Sequence, residues 1–138
     1  MKPFYTASAV ATGDGRNGRV RSMDGAVDTD VRLPVEMGGP GGAPNPEMLF
    51  AAGYAACFHS ALRQVAKASK VDDSDSEVVA DVSIGVLASG GYGLAVQLEI
   101  DLPNVDRATA QKLVDQAHQV CPYSNATRGN VEVTLTLA

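Results

Sequence analysis

A stretch rich in glycine and proline, residues 37–44, divides the chain and limits what can form on either side of it. Four glycines and two prolines occupy its eight positions, which predicts a loop or an interdomain crossing. The next residues, Asn45, Pro46 and Glu47, are typical of a helix start: an N-cap amide, a proline at the first helical position and an acid in the first turn. The helix can continue to about residue 69, and its small and apolar residues favour a buried central element.

Residues 4–33 have the pattern of short strands separated by turns. Asn17-Gly18 is a preferred pair for a type I′ hairpin, and Asp24-Gly25 marks a second turn. We therefore expect an antiparallel meander over residues 1–36. Residues 13–18 also match G-x-G-x-x-G, but no helix pattern follows them, and a dinucleotide site needs a helix N-terminus at the pyrophosphate. The sequence thus predicts no nucleotide cofactor.

The second half of the chain shows clearer periodicity. Apolar and polar residues alternate over residues 78–102, which predicts a long hairpin with one buried face, and again over residues 131–137, which predicts a last strand. Between them, Asp106–Cys121 has the apolar spacing of an amphipathic helix that stops at Pro122.

The order of these elements predicts an α+β fold in a single domain, residues 1–138. Antiparallel sheets are expected to wrap around the buried central helix. The meander (1–36) and the loop (37–44) are followed by the helix and the C-terminal α+β part (45–138). Each sheet has an apolar face to bury, and only one long helix is apolar enough to cover both. We therefore expect a homodimer.

Charge and composition narrow the classes of function. The formal charge of −5, with scattered Lys and Arg, argues against a nucleic-acid or anionic-membrane partner and favours a small or neutral one. No segment has the apolar length of a signal peptide or a membrane span, so a cytoplasmic protein is expected. Structural disulfides do not persist in that reducing compartment, so a cysteine pair there is more often catalytic, redox-sensing or metal-binding.

The chain has two cysteines, and both lie on predicted helices. Cys57 lies in the apolar run of the central helix, and Cys121 ends the second helix. The pair can cycle between dithiol and disulfide, or be two small buried hydrophobes. A reactive thiolate in apolar surroundings needs a cation. Arg16 is our candidate for this cation, and Glu47 is our candidate for its carboxylate partner. Alternatively, Arg16 is a solvated turn residue and Glu47 is an acid that stabilises the helix dipole.

The spacing of Glu47 and Cys57 bears on how such a site is built. They are ten positions apart, which is about 15 Å along one continuous helix. Side chains at that separation do not easily share one arginine. We therefore expect the Glu47 and Arg16 that serve a given Cys57 to come from a partner chain, with a bent helix or a long arginine reach as the alternative.

Three motifs resemble the organic hydroperoxide resistance (Ohr) proteins of the Ohr/OsmC family. They are Asn45-Pro46-Glu47, Leu49-Phe50-Ala51-Ala52-Gly53-Tyr54 and Cys121-Pro122-Tyr123-Ser124-Asn125-Ala126-Thr127, and the likeness covers nearly the whole chain. The resemblance implies an intertwined homodimer of OsmC-like fold. It also implies a thiol peroxidase that reduces organic hydroperoxides and is recycled by dihydrolipoamide or a lipoylated protein, without a bound cofactor.

The resemblance also implies roles for individual residues. Cys57 matches the peroxidatic cysteine, Cys121 the resolving cysteine and Glu47 the acid of the Asn-Pro-Glu motif. Where the family usually has Gly-Gly-Arg-Asp-Gly, this chain has one extra residue. Arg16 aligns with the family's arginine, and Arg19 is close enough to compete.

Four apolar residues are candidates for the substrate site. They would form a collar around the sulfur that favours fatty or aromatic hydroperoxides over hydrogen peroxide. Each of them can instead be plain core. The four are Phe50, Tyr54, Phe58 and Leu94.

Other classes of function use the same residues. His59 and His118 with the two cysteines give the ligand count of a zinc site, but their spacing is not that of an established structural site. A hydrolase using Cys57 and His118 lacks an evident orienting acid or oxyanion signal. The main alternative to an Ohr-type peroxidase is a non-catalytic redox sensor or stress-induced binding protein. A peroxidase of the OsmC type is a further alternative.

Overall fold

A computed structural model describes residues 1–138, which form two compact units, Met1–Leu49 and Phe50–Ala138. The boundary between the units lies in the first turn of the helix that the sequence places after residue 44. None of the helices combines the length and hydrophobicity needed to cross a bilayer.

The N-terminal unit contains the predicted meander. Strands β1 (Ala9–Thr12), β2 (Arg19–Ser22) and β3 (Asp28–Asp30) pair antiparallel in the order β1-β2-β3. Val31, directly after β3, is the single buried apolar residue of this unit. The sheet therefore has almost no hydrophobic core of its own.

The turn between β1 and β2 differs from the prediction. A type I′ turn needs positive φ at both central residues, but Gly18 has a φ of −104°. The connection is a six-residue loop, 13–18, that contains a 3-10 turn at Gly15–Asn17. The Asn17 side chain accepts a hydrogen bond of 2.9 Å from the backbone N–H of Leu33, so Asn17 fastens the loop to the chain after β3 instead of turning a tight hairpin.

The glycine-rich loop folds back on the chain before it, after a second 3-10 turn at Val35–Met37. The backbone N–H groups of Gly39 and Gly41 donate to the carbonyls of Pro34 and Leu33 at 3.0 Å. A side chain at Gly39 would collide with the Leu33 carbonyl, so the close approach of the backbone at these two residues requires glycine at position 39.

Helix α1 (Pro46–Ala68) begins where the sequence predicts. The Asn45 side chain accepts a hydrogen bond of 2.8 Å from the Met48 backbone N–H, which is the N-cap bond. Its buried residues recur at helical spacing and define one face: Tyr54, Phe58, Ala61, Leu62 and Ala66. The opposite face, which carries Ala52, Ala56 and Ser60, is exposed in the single chain.

The sheet of the C-terminal unit has the order β4-β5-β6. Strands β4 (Glu77–Val86) and β5 (Tyr92–Asp101) form the predicted antiparallel hairpin. Strand β6 (Glu132–Leu137) pairs parallel to β5, so the expectation of purely antiparallel sheets is wrong for this strand. The physical reason is that a helical crossover returns the chain to the end of the sheet at which β5 began.

The crossover contains two helices rather than one. Helix α2 (Arg107–Val120) starts at Asp106, whose carboxylate caps the backbone N–H of Thr109 at 3.0 Å. Pro122 ends α2 as predicted, but it also occupies the first turn of a further short helix, α3 (Pro122–Thr127), which the sequence analysis missed. The core of the unit is built by the buried face of α1, by β5 and by α2, whose buried side chains include Val96, Leu98, Ile100, Leu113, Val114 and Ala117.

Candidate active site

The C-terminal unit brings the two cysteines together. Cys57 lies in α1, one turn after Tyr54, and Cys121 lies between α2 and α3, where it is the C-cap of one and the N-cap of the other. The Cys121 N–H donates to the Ala117 carbonyl and the Cys121 carbonyl accepts from Asn125, both at 2.9 Å. The two free sulfurs are 3.7 Å apart. A disulfide at about 2.05 Å therefore requires only a small approach.

The two thiols differ in accessibility. Cys121 has no exposed surface, whereas Cys57 is half-buried. Burial raises the pKa of the Cys57 thiol, a hydrogen bond with the backbone of Tyr123 lowers the pKa, and the neighbouring Cys121 thiol raises it. The net direction is upward. Cys57 therefore needs a further source of positive charge to react as a thiolate at neutral pH.

The N-terminal unit brings Arg16 and Glu47 together. Arg16 lies in the 3-10 turn before β2, and Glu47 lies in the first turn of α1. Two parallel hydrogen bonds, each 2.8 Å, join the two guanidinium Nη atoms to the two carboxylate oxygens. Arg16 holds the pKa of the Glu47 carboxyl below its usual value. This is the pairing that the sequence analysis considered, while the role of the pair toward Cys57 stays a prediction.

Arg19, the competing arginine, has other partners. It lies in β2, and its guanidinium binds Asp28 at 2.7 Å and Asp30 at 2.8 Å on the neighbouring strand β3. Glu47 thus contacts Arg16 and not Arg19. The cross-strand pairing of Arg19 with Asp30 in the sheet register explains why it points to β3.

The four residues proposed as an apolar collar lie in different environments. Tyr54 and Phe58 have no exposed surface and belong to the core, whereas Phe50 and Leu94 are half-buried. Phe50 packs edge to face against Tyr54 at a ring-centroid distance of 6.2 Å and against Tyr123 at 6.0 Å. Phe50 and Leu94 therefore retain surface that a ligand can contact.

The two histidines lie in separate hydrogen bonds. His59 Nε2 is 3.0 Å from the hydroxyl of Ser76, and His118 Nδ1 is 2.8 Å from that of Ser124. Nowhere in the chain do three or more His, Cys, Asp or Glu side chains converge as metal ligands would.

A groove of about 910 Å³ in the C-terminal unit lies elsewhere on α1. Its lining includes His59, Arg63, Lys67 and Lys70, and neither cysteine contributes to it. The position of the two sulfurs, rather than the size of a cavity, therefore locates the candidate chemistry.

Comparison with known proteins places the chain in a family. The family model described as OsmC-like protein matches residues 39–136. The chain belongs to the OsmC-like family. Within it, an organic hydroperoxide resistance protein of Xanthomonas axonopodis pv. citri is 55% identical over 99% of this chain and 96% of that protein. The organic hydroperoxide resistance protein OhrB of Bacillus subtilis is 46% identical over 97% of this chain and 98% of that protein.

Solved structures agree with this assignment. The crystal structure of an organic hydroperoxide resistance protein from Elizabethkingia anophelis is 52% identical and superposes with a TM-score of 0.95, covering 100% of this chain and 99% of that one. This OsmC-like chain therefore has the α+β fold of the Ohr members of the family.

One residue near the thiols of this OsmC-like protein escaped the sequence analysis. The backbone of Tyr123, in the first turn of α3, lowers the pKa of Cys57, and the Tyr123 ring lies over Gly53. A Cβ at Gly53 would lie 2.8 Å from the Tyr123 hydroxyl oxygen. The signal was Pro122, because a proline that ends one helix is also favourable at the first position of another.

Proposed function

We propose that this protein is a thiol-dependent peroxidase that reduces organic hydroperoxides to alcohols and so contributes to defence against oxidative stress. The observation that carries the proposal is the 3.7 Å separation of a half-buried Cys57 and a fully buried Cys121. The Cys57 sulfur is accessible to a substrate, and the buried Cys121 sulfur is close enough to form a disulfide with it. The names of the related proteins from Xanthomonas and Bacillus, both called organic hydroperoxide resistance proteins, support the choice of substrate class.

The proposed reaction has three steps. The Cys57 thiolate attacks the distal peroxide oxygen, so that an S–O bond forms, the O–O bond breaks and the leaving alkoxide takes a proton to become an alcohol. Cys121 then attacks the sulfur of the Cys57 sulfenic acid, an S–S bond forms and water leaves. Finally, an external dithiol reduces the Cys57-Cys121 disulfide by two exchanges and is itself oxidised to a disulfide.

Arg16 and Glu47 are proposed to make the first step fast at neutral pH. Burial disfavours the Cys57 thiolate, and a guanidinium that is always charged offsets this effect. The two 2.8 Å bonds from Glu47 leave the planar guanidinium in a fixed orientation. We propose that a second copy of the chain supplies this pair to each Cys57 in an intertwined homodimer. The nearly coreless N-terminal sheet and the exposed small residues of α1 agree with such an assembly.

The substrate class is proposed from two half-buried apolar side chains, and the reductant from the resemblance to the family. Phe50 and Leu94 offer half-buried apolar surface, which favours alkyl, aryl and fatty-acid hydroperoxides over hydrogen peroxide. A lipoyl dithiol, either dihydrolipoamide or a lipoylated protein, is the proposed reductant. A reducing compartment such as the cytoplasm would keep the pair reduced between turnovers.

Steady-state turnover tests the proposal. The protein is incubated with cumene hydroperoxide, a fatty-acid hydroperoxide or hydrogen peroxide, with dihydrolipoamide in one series and thioredoxin in the other. We expect repeated turnover with the two organic peroxides and dihydrolipoamide, and much slower consumption of hydrogen peroxide. One equivalent of peroxide consumed without turnover with either reductant would instead identify a redox sensor.

A further inference from the structure

A chain of hydrogen bonds lies beside the cysteine pair in the C-terminal unit. The Tyr54 hydroxyl is 2.8 Å from the Ser124 hydroxyl and 3.2 Å from that of Thr127, and Ser124 is 2.8 Å from His118 Nδ1. Tyr54 and Ser124 have no exposed surface and Thr127 is 3% exposed. The hydroxyl of Tyr54 therefore has an internal polar environment, unlike that of a side chain lining an apolar substrate collar.

Counting hydrogens shows how the chain is arranged. The Thr127 hydroxyl donates to the carbonyls of Tyr123 and Ser124, at 3.0 and 3.2 Å. Because that hydrogen is used, the Thr127 oxygen must accept a hydrogen bond from the Tyr54 hydroxyl. The Tyr54 oxygen then accepts from the Ser124 hydroxyl, and the Ser124 oxygen accepts from His118 Nδ1. All the links are satisfied when His118 carries a proton on Nδ1. No buried side-chain nitrogen or oxygen of the protein lacks a partner, so the network is complete.

This network joins the three helices that carry or flank the thiols. Tyr54 lies one helical turn before Cys57 on α1, and His118 lies on α2 three residues before Cys121. Ser124 and Thr127 lie on α3, which starts directly after Cys121. A displacement of α3 from α1 would therefore break the bonds to Tyr54 and change the distance between the two sulfurs.

We propose that Tyr54, Ser124 and His118 are positioning residues for the resolving step, holding the Cys121 segment at the short distance from Cys57 that disulfide formation requires. This inference rests on the proposed peroxidase function and adds residues to it. The resolving attack competes with a second hydroperoxide, which oxidises the sulfenic acid to a sulfinic acid and is itself reduced to an alcohol. A fixed geometry favours the intramolecular reaction because its effective concentration is high. Loss of the network should therefore increase the sulfinic acid formed per turnover.

Tyr54→Phe and Ser124→Ala test the inference, because each removes a hydroxyl with little change in shape. Sulfinic acid per turnover is measured by intact mass, and sulfenic acid formation is measured separately with the Cys121→Ser background. We expect about tenfold more sulfinic acid per turnover, the factor that corresponds to ~1.4 kcal/mol. We expect the rate of sulfenic acid formation to change much less. The effect of the double variant should be smaller than the two single effects combined, since Tyr54 and Ser124 share one bond.

Two comparisons separate positioning from loss of stability. Ser76→Ala breaks the other histidine–serine bond, 3.0 Å to His59, and leaves the Cys121 segment intact, so it should not raise sulfinic acid. Thr127→Ser keeps the hydroxyl and should resemble wild type, whereas Thr127→Val loses one of the two bonds of Tyr54 and should lie between wild type and Tyr54→Phe. Thermal unfolding shows which variants are comparably folded.

A peroxide-free reaction keeps this inference distinct from the proposed function. A mixed disulfide of Cys57 with thionitrobenzoate releases the coloured thiolate when Cys121 attacks it. Slower release in Tyr54→Phe and Ser124→Ala than in Ser76→Ala would support the positioning role, whether or not the wild type reduces hydroperoxides. A wild type that reduces no hydroperoxide would refute only the proposed peroxidase function. Equal release in all variants, with unchanged sulfinic acid per turnover, would overturn the positioning role.

Discussion

The sulfur atoms of Cys57 and Cys121 lie 3.7 Å apart, although 64 positions separate the two residues in the chain. Helix α1 carries one sulfur, and the junction of α2 and α3 carries the other. The contact is made between two free thiols, of which only Cys57 reaches the surface. This asymmetry supports the different roles proposed for the two residues and leads to the first prediction.

Replacement of each cysteine should have different consequences. Cys57→Ser should abolish hydroperoxide consumption, because it removes the accessible thiol that is the proposed nucleophile. Cys121→Ser should consume about one equivalent of hydroperoxide and then stall or form sulfinic acid, since no resolving thiol remains. Stopped-flow peroxide consumption and intact mass distinguish these results, and full activity in both variants would refute the assignment.

The raised pKa of Cys57 gives a prediction for Arg16. Burial raises the pKa of this thiol above its ordinary value of 9.0, so without a cation less than about 1% is thiolate at pH 7. Arg16→Ala should therefore slow sulfenic acid formation at neutral pH by about tenfold or more, with partial recovery at alkaline pH as the thiol ionises unaided. The measurement is the pH profile of single-turnover oxidation.

Arg19→Ala is the matched control for this variant. It also removes an arginine from the N-terminal sheet region, but one bound to Asp28 and Asp30 instead of Glu47. Its pH profile should stay close to that of the wild type. If Arg19→Ala slows oxidation more than Arg16→Ala does, the extra residue of the loop has been placed wrongly.

The Arg16–Glu47 pair also predicts a dependence of stability on pH. The pKa of Glu47 in the folded protein lies below its ordinary value of 4.5, so the folded state favours the ionised carboxylate. The stabilisation is fully present above about pH 4.5 and is lost as the pH falls through the lower, folded-state value. Since Arg16 is 38% exposed, Glu47→Gln should lower the free energy of unfolding by only about 1 kcal/mol at pH 7. This difference should shrink toward acidic pH in urea unfolding experiments, and a constant difference would contradict the ion-pair origin.

Periodicity in the sequence predicts some parts of this fold and cannot predict others. The alternation along β4 and β5 and the helical spacing of α2 follow from burial of one face, which is a local property of the sequence. The direction of β6 depends on where the crossover returns the chain, and alternation is the same in parallel and antiparallel strands. The pattern therefore predicted the strand but not its parallel pairing with β5.

The candidate site also has parts that the sequence predicts and parts that it does not. Thiol chemistry and motif resemblance together singled out both cysteines, Arg16 and Glu47 as candidates. It did not reveal the bonds of Tyr54, because a tyrosine inside an apolar run has the same pattern whether it lines a pocket or bonds a buried serine 70 positions away. Such contacts depend on how α3 packs, and α3 is too short to show a periodicity of its own.

The contact of Gly53 with Tyr123 predicts an effect on stability. Gly53→Ala should gain up to about 1 kcal/mol from helix propensity. In the wild type this gain is offset because the new Cβ meets the Tyr123 hydroxyl at 2.8 Å and displaces the ring. The gain should appear fully in a Tyr123→Ala background, where the contact is absent. Urea unfolding of the four proteins of this double-mutant cycle gives the coupling energy, and additive effects would show that the ring moves aside freely.

Complementation between inactive variants tests whether each site uses two chains. Cys57→Ser lacks the proposed nucleophile and Arg16→Ala/Glu47→Ala lacks the ion pair, so the proposed homodimer of each variant should be inactive or nearly so. Unfolding and refolding the two together should give heterodimers in which one site receives every intact residue. With random mixing, about a quarter of the wild-type activity should return, since half of the dimers are mixed and each has one complete site. Native mass spectrometry establishes that heterodimers form. If they do and activity stays at the level of the parents, Arg16 and Glu47 act on the Cys57 of their own chain.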